Sequence, residues 1–129
     1  KGPYTHPFPA EPTPLPEWIR GKPAYHADDC IGCGACAEVC PVRAIEERDV
    51  TEEDGTQYRR LTLHYDNCVF CGECVRHCTT QKGIQFTQEF ELSGFDRSEM
   101  VEEVQKELVP CELCEKPIGP KDHLLWIHR

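Results

Sequence analysis

Two stretches decide the reading of this chain: Cys30-Ile31-Gly32-Cys33-Gly34-Ala35-Cys36-Ala37-Glu38-Val39-Cys40 and Cys68-Val69-Phe70-Cys71-Gly72-Glu73-Cys74-Val75-Arg76-His77-Cys78. Both follow the spacing C-x2-C-x2-C-x3-C, and the second copy lies 38 residues after the first. The first three cysteines of such a run share a tight loop, so their thiolates can converge on one cuboidal [4Fe–4S] cluster. In the two-cluster arrangement the fourth ligand comes from the other run. One cluster is therefore expected on Cys30, Cys33, Cys36 and Cys78, and a second on Cys68, Cys71, Cys74 and Cys40. Gly32, Gly34 and Gly72 suit positive φ and bring N–H groups near sulfur. Disulfides would also explain an even cysteine count, but not this repeated spacing, and they need an oxidising compartment. A pair of zinc sites fits the spacing less well.

Composition agrees. The chain has 129 residues with 10 cysteines and 11 prolines, and cysteine is counted in its 39% hydrophobic share. That leaves too little apolar material for a large core, so bound inorganic groups must hold part of the fold. A formal charge of −9 argues against nucleic acid, which demands a basic patch. The longest strongly apolar run, Leu124-Leu125-Trp126-Ile127, is far short of the ~20 residues of a membrane helix.

Working outward, residues 1–27 read as a Pro-rich extended strap, with Tyr4, Phe8, Leu15, Trp18, Ile19 and Tyr25 interleaved among the prolines. Such a segment excludes a helix or central strand, and that many large apolar groups favour docking on a partner over a free linker. Residues 28–92 read as the cysteine domain. Short helices are predicted over Ala35–Val39 and Glu73–His77. Strands are predicted over Ala44–Val50, Tyr58–Tyr65 and Ile84–Thr87, with Glu52-Glu53-Asp54-Gly55 as the hairpin turn. Thr79 stands where the first copy has Pro41, and the Thr79–Gly83 turn is one residue longer than its counterpart. Residues 93–110 read as an amphipathic helix: Asp96-Arg97-Ser98-Glu99 resembles a capping box, and Met100, Val101, Val104 and Leu108 share a helical face. The fold class expected is α+β, a two-fold repeated small-ferredoxin core with an enlarged hairpin, a strap, a C-terminal helix and a cysteine tail.

The tail, 111–129, carries Cys111-x2-Cys114, half of a zinc-type site. His123 and His128 would complete a Cys-Cys-His-His sphere for zinc or mononuclear iron. A second cysteine pair from outside the chain, or two unliganded thiols, are the alternatives. His77, next to Cys78, is a candidate for tuning a cluster by hydrogen bonding. His6, His26 and His64 read as surface or packing residues.

Taken together, FPAEPTPLPEWIRGKP, YHADDCIGCGACAEVCPVRAI, LHYDNCVFCGECVRHC and IQFTQEFEL resemble the two-cluster ferredoxin-like subunit of respiratory complex I and of membrane-bound energy-converting [NiFe] hydrogenases and formate hydrogenlyases. CELCEKP is similar to the tail of the formate-hydrogenlyase-type members, which carry further cysteines downstream. The resemblance implies a non-catalytic electron relay, bound among other subunits of a redox complex. These include a cluster-bearing small subunit and a catalytic large subunit. It also implies a peripheral position on the cytoplasmic side of the cytoplasmic membrane, held there through partners. A soluble, diffusible two-cluster ferredoxin is the alternative, and a zinc-bound structural module a third.

Overall fold

Leu61, Leu63 and Tyr65 point one way and are buried, at 1%, 1% and 7% exposure. Thr62 and His64 between them are half-exposed, as the two-residue period of a strand requires. In the computed structural model, which describes residues 2–128, Leu61 to His64 close β3 (Gln57–His64), which ends one residue before Tyr65 and pairs antiparallel with β2 (Ile45–Thr51) from Ile45 opposite Leu63 to Thr51 opposite Gln57. The hairpin closes through Glu52 to Thr56, with Gly55 at φ 85°. Helices α1 (Ala35–Glu38) and α2 (Glu73–Arg76) follow the two cysteine loops. All four elements lie close to their predicted ranges.

The internal repeat reaches further than the cysteines. Strand β1 (Pro23–Tyr25) pairs antiparallel with β4 (Ile84–Phe86), placing Tyr25 opposite Ile84 and Pro23 opposite Phe86. Adding 38 turns Tyr25 into Leu63 and Pro23 into Leu61, which face Ile45 and Glu47 in the same register. The two sheets are thus pseudo-symmetric copies. β1 lies within residues 1–27, so the strap ends at about Lys22 rather than at residue 27. The turns after the fourth cysteines also match: Arg43 at φ 52° bonds back to Cys40, and Gln81 at φ 61° bonds back to Cys78. The extra residue of the second copy comes after that turn, between Gln81 and β4.

The predicted helix over 93–110 is not formed. Arg97–Glu99 makes one 3-10 turn, capped by the Asp96 carboxylate accepting from Ser98 N at 2.9 Å. The chain then enters β5 (Val101–Pro110), which pairs along β3 from His64 opposite Val101 to Tyr58 opposite Glu107. The i, i+4 spacing of Val104 and Leu108 satisfies a strand face as well as a helix face, and both are buried. The open edge of β3 decides between them, because its N–H and C=O groups need partners. Two polar residues on this inward face have specific partners. Glu102 accepts from Tyr25 N at 2.9 Å and Tyr65 OH at 2.7 Å. The Lys106 ammonium donates to Ala27 O and Asp122 Oδ2.

The tail continues the larger sheet, whose order is β2-β3-β5-β6, with β6 (Pro117–Pro120) leading into α3 (Lys121–Ile127). Lys106 ties α3 to the segment before the first cysteine loop. Gly32 of that loop lies so close to Lys106 and Pro120 that a Cβ there would sit 3.0 and 3.2 Å from their Cβ atoms. The first loop is therefore roofed by the tail. Residues 2–20 form no strand or helix. Tyr4 and Trp18 are 92% and 83% exposed, and Phe8 packs on Phe90 at 5.5 Å between ring centroids. Gly21, Lys22 and Thr87 then zip the strap onto the segment after β4. No helix among the described residues is long and apolar enough to cross a membrane.

Because Glu102 serves two inner groups, Glu102→Ala is expected to cost about 1–3 kcal/mol in thermal unfolding. Glu103→Ala, outward and bonded only to Thr62, is expected to stay within about 0.5 kcal/mol; an amphipathic helix would make the two equivalent.

Candidate cluster sites

The cysteine runs surround two small cavities of similar size. One is lined by Cys30, Cys33 and Cys36 of the first run together with Cys78 of the second. The other is lined by Cys68, Cys71 and Cys74 together with Cys40. The crossing follows from the repeat: each fourth cysteine leaves its short helix toward the partner half, with β1–β4 and β2–β3 closing the two sides. Apolar groups complete both linings, among them Ile31, Leu61 and Ile84 around the first and Ala44, Ile45, Leu63 and Val69 around the second. Among the described residues, no three His, Cys, Asp or Glu side chains gather to hold a single metal ion. Thiols spaced around a cavity suit a group of several atoms instead, and soft thiolates suit iron–sulfur chemistry. The donor set, three thiols of one run and one of the other around each apolar-lined cavity, fits two [4Fe–4S] clusters.

Backbone geometry prepares the sulfurs. Gly32, Gly34 and Gly72 take φ 68°, 77° and 80°, and Gly34 and Gly72 are the residues from which α1 and α2 start. Phe70 adopts φ 54° at the place equivalent to Gly32, a left-handed turn unfavourable to a side chain. Its N–H lies 3.4 Å from Cys68 Sγ, and Ala44 N donates to Cys40 Sγ at 3.2 Å. Around the first cavity hydroxyls join the backbone groups. Thr79 Oγ1 is 3.2 Å from Cys33 Sγ, Thr80 Oγ1 3.5 Å from Cys78 Sγ, and Tyr25 OH 3.7 Å from Cys36 Sγ.

Burial pushes the Cys36 thiol up to about 12 and that of Cys74 up to about 11. It also raises Cys30 and Cys68. Cys78 alone of this group shifts downward, because hydrogen bonds from Thr80 and the N–H groups of Ile84 and Gly83 outweigh its burial. Thiolate ligation therefore expels protons from most of these sites when iron enters.

The tail residues do not assemble. Cys111 and Cys114 occupy the turn between β5 and β6, where Cys111 N donates to Lys116 O and Glu115 N donates to Cys111 O. N–H groups of Leu113 and Cys114 lower the Cys111 thiol. His123 lies in α3 and His128 just past its end, and no four-ligand sphere with the cysteine pair exists among the described residues. His77 is turned to Glu73, 3.3 Å away, and is exposed rather than aimed at sulfur. Tyr25 and Thr80 were missed as sulfur neighbours. The signal that finds them is the 38-residue offset extended beyond the cysteines.

A two-fold repeated α+β unit with two cysteine-ringed cavities defines a two-cluster ferredoxin-like domain. Residues 29–82 match the family described as the 4Fe-4S dicluster domain. The chain is 31% identical over 118 residues to formate hydrogenlyase subunit 6 of Escherichia coli (strain K12), covering 92% of this chain and 63% of that protein. It is 36% identical over 107 residues to NADH-quinone oxidoreductase subunit I of Pseudomonas entomophila (strain L48), covering 79% of this chain and 59% of that one. Among solved structures it is similar to a chain of the membrane-bound sulfane sulfur reductase, an archaeal respiratory membrane complex. That match has 30% identity and a TM-score of 0.56, and it covers 78% of this chain and 52% of the other. The chain thus spans about three fifths of the length of these curated relatives.

Gly72→Ala places a Cβ at φ 80° and 3.0 Å from the Phe86 ring. It is expected to cost about 1–2 kcal/mol and to speed iron loss to a chelator, followed by the decay of visible absorbance.

Proposed function

We propose that this chain is an electron-relay subunit, carrying single electrons through two [4Fe–4S] clusters inside a membrane-bound, complex-I-like or formate-hydrogenlyase-like assembly. Cys30, Cys33, Cys36 and Cys78 hold one cluster; Cys68, Cys71, Cys74 and Cys40 hold the other. The observation that carries the reading is the mixed lining of both cavities, three cysteines from one run and one from the other. The clusters supply reversible one-electron chemistry at potentials that the surroundings set. The chain's own residues bind them as thiolates, shield them with apolar side chains, and leave little room for substrate.

Each oxidised cluster on four thiolates adds a charge of about −2, taking the chain from −9 to about −13 when both are loaded. Negative surroundings disfavour the added electron, so these charges support low potentials unless partners cover them. The exposed strap and its similarity to subunits of membrane complexes favour a fixed place among partners over a diffusible ferredoxin. The partners proposed are a cluster-bearing small subunit and a catalytic large subunit, on the cytoplasmic face of the membrane. At the tail, Cys111 and Cys114 supply two ligands of a zinc or iron site whose remaining ligands a partner would bring.

Metal analysis tests this directly. About eight irons and eight sulfides per chain are expected, and zinc without iron overturns the reading. In reduced-state EPR, Cys40→Ala is expected to disturb the cluster of Cys68, Cys71 and Cys74 more than its neighbour; the reverse pattern defeats the crossed ligand sets. Co-purification with a catalytic large subunit supports the relay role, while an isolated monomer from gentle lysis supports the diffusible alternative.

A further inference from the structure

The two cavities are built from equivalent positions, so differences between them stand out. Hydroxyls lie near sulfur at three places around the first: Tyr25, Thr79 and Thr80. Their equivalents 38 residues away are Leu63, Pro41 and Val42, all three lining the second cavity and none with a side-chain donor. The lining of the second cavity includes no Ser, Thr or Tyr at all. Its sulfurs meet backbone N–H groups, those of Ala44 and Phe70, as Cys30 and Cys78 of the first also do; the side-chain hydroxyls are what the first adds.

The direction of the hydroxyl bonds is settled by chemistry. A thiolate bound to iron has no proton to give, so each hydroxyl must donate to sulfur. Thr80 is already arranged for this. Its oxygen accepts from Gly83 N at 3.0 Å and from Lys82 N at 3.4 Å, leaving its proton for Cys78. Thr79 crosses between the halves: it follows the last cysteine of the second run and faces Cys33 of the first. Tyr25 is half-buried and reaches across with its hydroxyl to lie 3.7 Å from Cys36 Sγ.

We propose that Thr79, Thr80 and Tyr25 form a set of hydroxyl donors that favours reduction of the cluster held by Cys30, Cys33, Cys36 and Cys78, and so makes the two clusters inequivalent. The inference rests on the cluster reading above. One electron is added per couple, from a neighbouring redox centre or a chemical reductant. No bond is made or broken, and the hydroxyls keep their protons. Donation to sulfur strengthens as the sulfur gains negative charge, so it favours the reduced form. The three act as positioning and tuning residues, not as ligands.

The test uses the cluster-loaded chain, with Thr79→Val, Thr79→Ser and Tyr25→Phe, leaving Thr80 in place because it also anchors the turn to β4. Each cluster's potential is measured by EPR-monitored potentiometry, and exchangeable-proton couplings are compared in H2O and D2O. Thr79→Val is expected to disfavour reduction of one cluster by roughly threefold to tenfold, the upper end being 59 mV for a one-electron couple. It should leave the other cluster unmoved and remove one exchangeable coupling. Thr79→Ser should restore both readouts, and Tyr25→Phe should shift the same cluster by less, given its longer contact. Potentials within about twofold of the unmodified chain in both Thr79→Val and Tyr25→Phe would overturn the proposal. So would a Ser variant shifted as far as the Val variant, since that marks a packing role. If Thr79→Val does not retain its clusters, Tyr25→Phe decides alone. Iron and sulfide counts on the unmodified chain separate the two readings: a chain without clusters defeats the relay reading, while a loaded chain with unmoved potentials defeats only the tuning.

Discussion

Each half of this protein completes its cavity with a cysteine from the other half. Cys78 crosses to the cavity of the first run and Cys40 to that of the second. The rest of the architecture depends on that exchange. Neither half can close alone, so the two cysteine loops, α1 and α2, and the paired sheets must form together. Cys30, Cys36 and Cys74 belong to the central buried cluster, with Leu61, Leu63, Ile45, Ile84 and Val104 around them. The apolar residues form a shell around thiol-lined space rather than a solid core. A chain of this size with so modest an apolar content gains stability where bound groups tie distant segments together.

On this near-symmetric frame the two halves acquire different surroundings. The tail lies over the first loop, through Pro120, Lys106 and the Lys106–Asp122 pair. The second loop has no such cover, and Cys71 and Val69 are exposed there. Among the described residues, hydroxyls approach sulfur only on the first side. Solvent access and local donors thus differ between the halves.

Much apolar surface is left uncovered. Tyr4, Trp18, Phe95, Leu113 and Ile127 are exposed on the strap, on the segment before β5 and on the tail, and Val42, Val69 and Phe90 are exposed on the cysteine domain. Scattered exposed apolar residues are ordinary; here the most exposed of them, Tyr4, Trp18, Phe95 and Leu113, lie on the added segments.

The cysteine spacing carries its chemistry locally, which is why the two loops, their short helices and the candidate ligands were legible residue by residue. The hairpin was legible too, since alternation at Leu61, Leu63 and Tyr65 and the Asp54-Gly55 turn are short-range signals. Three features were not. Pro23–Tyr25 looked like the end of a proline-rich strap and became a strand only because β4 lay ready to pair with it. Val101–Pro110 had a pattern compatible with both helix and strand, and the free edge of β3, far away in sequence, chose the strand. His123 and His128 could be counted toward a metal sphere from spacing alone, but β6 and α3 set their positions and left the cysteine pair without them. Spacing within one loop is enforced by covalent geometry and can be read from the chain. Pairing across an edge depends on which unsatisfied backbone groups happen to face each other, and that is decided only when the whole structure is assembled.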